Sequence, residues 1–209
     1  MDLKLRGLLW RCVLVLMLLD VQRNLVFSAP TQISSNDFDT AKSLTNILAY
    51  DTKELLQTYV QIHLDGVNET VPKGVPDSTI HGDNMCEKLQ NIYIKNMLFY
   101  MHISKVEEIE IQLWQNVNIT QRLSVVKGRL NYHLDIIKHI LTDKYPDLSL
   151  PPTPAPLHLP HDKGFQKKQY GCGVIIRLIE WLKEAKTMYV SWDTKLFHTS
   201  LTTKSLSQR

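Results

Sequence analysis

The sequence predicts an all-α fold, a long-chain four-helix bundle of up-up-down-down topology with two long crossover loops. Three observations predict it. The nine prolines stand at 30, 72, 76, 146, 151, 152, 154, 156 and 160, leaving 31–71, 77–145 and 161–209 free of them. An interior proline costs a helix ~3 kcal/mol, so those windows are where helices can run. Apolar residues recur through all three at steps of three and four, and no segment alternates as a strand does. Finally, the breaks between helical stretches read long, short, long, the spacing of a bundle with two crossovers.

The N-terminus comes first. Lys4 and Arg6 precede Leu8–Leu19, which is apolar apart from Arg11. A run of roughly 12 apolar residues suits a signal peptide and falls short of the ~20 of a spanning helix. Cleavage is expected after Ser28, leaving a single domain over 29–209 with a net charge of +1 in place of +3, and removing Cys12. Two sequons, Asn68-Glu69-Thr70 and Asn118-Ile119-Thr120, are candidate glycosylation sites at expected breaks and agree with a secreted, extracellular protein.

Helix α1, at about 38–64, carries Ala41, Leu44, Leu48, Leu55, Tyr59 and Ile62, with Asn36 or Asp37 as cap and Asp65-Gly66 as stop. Helix α2, at about 84–114, carries Met85, Leu89, Ile92, Phe99, Ile103, Val106 and Leu113 behind a cap at Asp83. Helix α3, at about 119–144, carries Leu123, Val126, Leu130, Leu134, Ile137 and Leu141, with Asn118 and Gln121 read as a capping box. Helix α4, at about 166–194, has the cleanest stripe: Ile175, Leu178, Leu182, Ala185, Tyr189 and Trp192. The short α2–α3 link forces an antiparallel pair. The links of about 18 and 20 residues on either side can each return along a whole helix at ~3.3 Å per residue, and the second is proline-dense enough to be extended. In that topology Cys86 and Cys172 start helices at opposite ends, ~30 Å or more apart, so no disulfide between them is expected.

Chemistry is scarce. G-x-S-x-G, H-E-x-x-H, P-loop and CxxC patterns are all missing, and Gly171-Cys172-Gly173 lacks the rest of a dinucleotide fingerprint. His158 and His161 flank Pro160 without other ligands nearby, and Asp135 and His139 read as a solvated i, i+4 pair. No enzyme activity, metal or cofactor is expected. The modest charge gives no reason to expect nucleic-acid binding. The head of α4 stands out instead: Lys163, Lys167 and Lys168 crowd a helix N-terminus, where each exposed cation is unfavourable by ~0.3–1 kcal/mol, beside Phe165. An aromatic among cations at a bundle rim has the composition of a protein-binding hot spot; a ring that closes the core with solvated lysines fits the residues as well.

Phe165-Gln-Lys167-Lys168-Gln-Tyr170-Gly171 resembles the F-x-x-K segment at the start of the last helix in the ciliary neurotrophic factor, cardiotrophin-like cytokine and leukaemia inhibitory factor group, within the interleukin-six-type cytokines. Trp181 ten residues after Gly171, Leu56-Gln-Thr-Tyr59-Val60 near the end of α1, and Tyr145-Pro146 at the end of α3 are similar to the same group; the cysteines and sequons are not among its motifs. The resemblance implies a secreted monomeric cytokine that joins a leukaemia inhibitory factor receptor-type chain to the shared interleukin-six-family signal transducer and so triggers JAK–STAT signalling, with a non-signalling alpha receptor as a further partner in some members. Phe165 would enter an apolar recess of the first receptor, worth ~1.5–3 kcal/mol by area. Lys168, with Lys167 beside it, would meet an acidic or carbonyl-rich rim and fix orientation. Lys42, Asn46, Arg122 and Arg129, off the core stripes of α1 and α3, are the candidates for the shared transducer. The alternative is a secreted amphipathic protein that binds lipid or lies on a membrane, suggested by the wide apolar arc of α4.

Overall fold

In the computed structural model the described residues are 36–63, 71, 74–155, 157 and 163–206. They fall in one compact unit, Ser35–Arg209. The expected signal peptide, 1–28, and Asn68 lie outside the described residues. Four helices make up this unit, with no strand among the described residues: α1 Asn36–His63, α2 Met85–Ile109, α3 Val117–Lys144 and α4 Gly164–Leu206. A π-helical turn, Glu110–Trp114, continues α2.

Side-chain pairs give the helix directions. Asp37 meets His139, Asp51 meets Arg129 and Glu54 meets Arg122, so α1 and α3 are antiparallel. Phe38 stacks on Trp192 while the Tyr59 hydroxyl donates to the Lys168 carbonyl, so α1 and α4 are antiparallel too. Asn96 donates to the Leu130 carbonyl and Glu107 pairs with Lys127, setting α2 against α3. His102 meets Tyr170 and Phe99 meets Trp181, setting α2 against α4. Thus α1 and α2 point one way and α3 and α4 the other. Each helix packs chiefly on the two that oppose it, which leaves α1 diagonal to α2. The two long connections pass through 64–70, 72–73, 156 and 158–162, outside the described residues.

The predicted stripes form the core, with instructive exceptions. Ala41, Leu44, Leu48, Leu55 and Tyr59 of α1, and every stripe residue of α4, are buried. Ile62 and Leu113, expected inside, are 40% and 47% exposed. At the end of α1 it is His63, four residues after Tyr59, that turns inward. At the end of α2 the wider π ladder, closed by the Gln115 amide on the Glu110 carbonyl, shifts the helical phase and carries Leu113 off the buried face.

Three caps also differ. Asn36 and Asp37 are already inside α1, where the acidic Asp37 and Asp39 favour a helix N-terminus through its dipole. The cap of α2 is Asn84, not Asp83: its side chain accepts from the Glu87 amide, and the Glu87 carboxylate accepts in return from the Asp83 amide. The cap of α3 is Asn116, not Asn118, and accepts from the Ile119 amide. Asn118 is exposed on the first turn, accessible as its sequon requires.

Cys86 lies beside Tyr145, where α2 begins and α3 ends, whereas buried Cys172 lies near Tyr59 at the opposite end of the bundle. Neither forms a disulfide.

Candidate functional site

The end of the bundle where α1 and α2 finish and α3 and α4 begin gathers the most unusual residues. Gly164 opens α4, whose first turn contains no acidic side chain to offset Lys163, Lys167 and Lys168. Phe165, one residue into that turn, is 56% exposed, so its ring does not close the core. Lys167 and Lys168 are half-buried. Phe165 and Lys168 are three apart on one helix and therefore project from the same face.

Beneath Lys168 lies a stack the sequence did not announce. The Lys168 ammonium sits 5.3 Å from the centroid of Trp114, within cation–π range. Trp114 packs against the His63 ring at 4.9 Å, and His63 packs on Tyr59 at 4.8 Å. His63 Nε2 is 2.8 Å from Glu110 Oε1, and both side chains are shut away from solvent. The second oxygen, Oε2, is buried without a hydrogen-bond partner. Burial, and then the neighbouring Glu110 carboxylate and Cys172, hold the Tyr59 hydroxyl well above its ordinary pKa, so it stays a donor. Its proton goes to the Lys168 carbonyl at 3.3 Å. A Cβ at Gly171 would collide with that hydroxyl; glycine there lets α4 approach α1.

One signal for this stack was legible. Glu110 is the next member of the series Phe99, Ile103, Val106, so a carboxylate occupied a core position and needed a partner. The partner, His63, comes from a helix end 47 residues earlier, which no local pattern reveals.

The second set of predicted residues does not form one patch. Arg129 makes a 2.7 Å ion pair with Asp51, off hydrogen-bond alignment, and Arg122 stands 3.8 Å from Glu54, both on the α1–α3 side. Asn46 instead lines an open groove between α1 and α4 with Tyr50, Lys53 and Lys183. Lys42 precedes it by one turn, so this pair flanks the outward ridge of α1 on the other side. His139 is paired across to Asp37 at 3.4 Å, and His158 and His161 lie outside the described residues.

Two buried histidines are held by side-chain partners: His102 meets Tyr170, and His133 Nε2 lies 3.3 Å from Thr45 and 3.2 Å from Tyr189. Among the described residues no three His, Cys, Asp or Glu side chains converge as metal ligands, and no helix is long and apolar enough to cross a membrane. The α4 rim combines an outward ring at Phe165, the Lys168 ammonium over Trp114 and the ring stack behind it. No family model, curated protein or solved structure matches the chain.

Proposed function

We propose that this protein is a secreted cytokine that brings two cell-surface receptor chains together, with the head of α4 as its primary docking site. The observation that carries this reading is the Phe165 ring, 56% exposed at the rim of a bundle whose core is complete without it. An apolar ring held in water is unfavourable for the free protein and becomes favourable only when a partner covers it. Lys168, three residues on, supplies the charge that orients that partner. A leukaemia inhibitory factor receptor-type ectodomain is the partner the F-x-x-K resemblance implies. The α1–α3 side around Arg122 and Arg129 is the proposed contact for the shared signal transducer, which gives one ligand two separate patches and makes catalysis unnecessary.

Lipid association is the weaker reading. The apolar arc of α4 is spent on its own bundle: Ile175, Leu178, Trp181 and Leu182 are buried, and Ile176 and Ile179 pack against the same core.

The test titrates the purified protein and its Phe165→Ala and Lys168→Ala variants against the receptor ectodomain. Loss of ~1.5–3 kcal/mol of ring burial predicts a roughly ten- to hundredfold weaker Kd for Phe165→Ala. Lys168→Ala is expected to lose less, and neither variant to change its thermal unfolding. Wild-type binding by both variants refutes the site; flotation of the protein with liposomes refutes the docking reading in favour of lipid.

A further inference from the structure

The stack beneath Lys168 has a place in recognition. A lysine side chain is among the most rotationally free, and immobilising it on binding opposes association. A rim lysine that is already held when the partner arrives avoids most of that cost. Lys168 meets this condition. Its ammonium rests 5.3 Å from the Trp114 centroid, its carbonyl is fixed by the Tyr59 hydroxyl, and it is half-buried while Phe165 on the same face is exposed.

Trp114 is itself unusually placed. It ends a π turn, and the next residue, Gln115, takes a left-handed backbone with φ of 51° to close that turn. π turns in α-helices occur frequently at functional sites. This one delivers the indole to the α4 rim and brings Glu110 inward to His63. The His63 ring fills the space between Tyr59 and Trp114, so the carboxylate–imidazole pair braces the indole from behind. A fully buried carboxylate with one oxygen unpartnered is a poor choice for stability alone, since an apolar residue at that position would avoid its desolvation.

We propose that Trp114 is the positioning residue for Lys168: braced by the buried His63–Glu110 pair, its indole holds the ammonium at the rim in the geometry that an acidic or carbonyl-rich receptor surface meets. This rests on the docking site proposed above and adds to it a determinant that need not touch the receptor.

The experiment uses the full mature chain with carbon-labelled lysine, in wild type, Trp114→Leu and Trp114→Phe. In the free protein the ε-methylene of Lys168 is expected to be shielded by the indole ring. Shielding is lost in Trp114→Leu and largely kept in Trp114→Phe, with no receptor present. Against the receptor ectodomain, Trp114→Leu is expected to bind about two- to fivefold more weakly, the range of a surface cation–π contact, and Trp114→Phe to recover most of the loss. In a Lys168→Met background the same Trp114 change has no further effect. An unshielded Lys168 in the wild type overturns the proposal, whatever the receptor does. If Phe165→Ala and Lys168→Ala weaken binding but Trp114→Leu does not, the positioning role fails and the docking site stands. If binding is indifferent to all three, both fall. A Trp114→Leu loss that persists in the Lys168→Met background assigns Trp114 a direct or structural role and also overturns the proposal.

Discussion

His133 sits at the meeting point of three helices, with Thr45 of α1 and Tyr189 and Trp181 of α4 around its ring and Nδ1 buried without a partner. Burial lowers its pKa from 6.5 to about 4, and lowers that of His102 likewise. Well above pH 6.5 both rings are neutral folded or unfolded and contribute no pH dependence. As pH falls below 6.5 the unfolded chain takes up protons that the native chain refuses until about pH 4, so stability drops through that window, by at most ~3 kcal/mol per histidine. His133→Gln is expected to flatten the melting temperature against pH between 7 and 4 while lowering it at pH 7. An unchanged slope would show that His133 is not the group responsible. Neither histidine was flagged by sequence pattern, because a histidine at a stripe position looks the same whether it faces core or solvent until its neighbours are known.

Apolar periodicity located all four helices, with starts within a few residues, but it ended α4 at about 194 where the helix runs to Leu206, and it misplaced the caps. Asparagines stand at 116 and 118, and only Asn118 has a glutamine three residues on to complete a capping box; the backbone nevertheless chose Asn116, whose extended conformation lets its side chain accept from the Ile119 amide. Asn116→Ala is therefore expected to cost ~1 kcal/mol in urea unfolding of unglycosylated protein, and Asn118→Ala close to nothing. The reverse order would restore Asn118 as the cap. The π turn was invisible for a different reason. It is stabilised by the inward pairing of Glu110 with His63, a tertiary contact, whereas every residue from Glu110 to Trp114 is compatible with an ordinary α-helix.

At the scale of the whole molecule, stability is concentrated where the helices converge. Trp181 is fully buried, packs on Phe99 of α2 and meets His133 of α3 edge-on. Trp181→Ala is expected to cost ~3–5 kcal/mol, a large part of the ~5–15 kcal/mol that holds a typical domain. Arg129→Ala, which removes a partly exposed ion pair with Asp51, should cost no more than ~1 kcal/mol. Chemical denaturation of the two variants measures the contrast, and equal losses would mean that a surface pair holds the bundle as strongly as the shared core does. The sequence by itself determined that the chain is helical, where each helix begins and which stripe of each is apolar, because these follow from proline exclusion and a 3.6-residue period that act locally. It also drew attention to the head of α4, since Lys163, Lys167 and Lys168 crowding a helix N-terminus contradict the local dipole; the choice of Phe165 and Lys168 came from the F-x-x-K resemblance. Only the tertiary structure decided that Phe165 faces water, that Arg122 and Arg129 lie on a different side of α1 from Asn46, and that Glu110, His63 and Trp114 meet beneath Lys168. Those outcomes depend on which helix ends converge, and contacts between residues tens of positions apart leave no periodic trace along the chain.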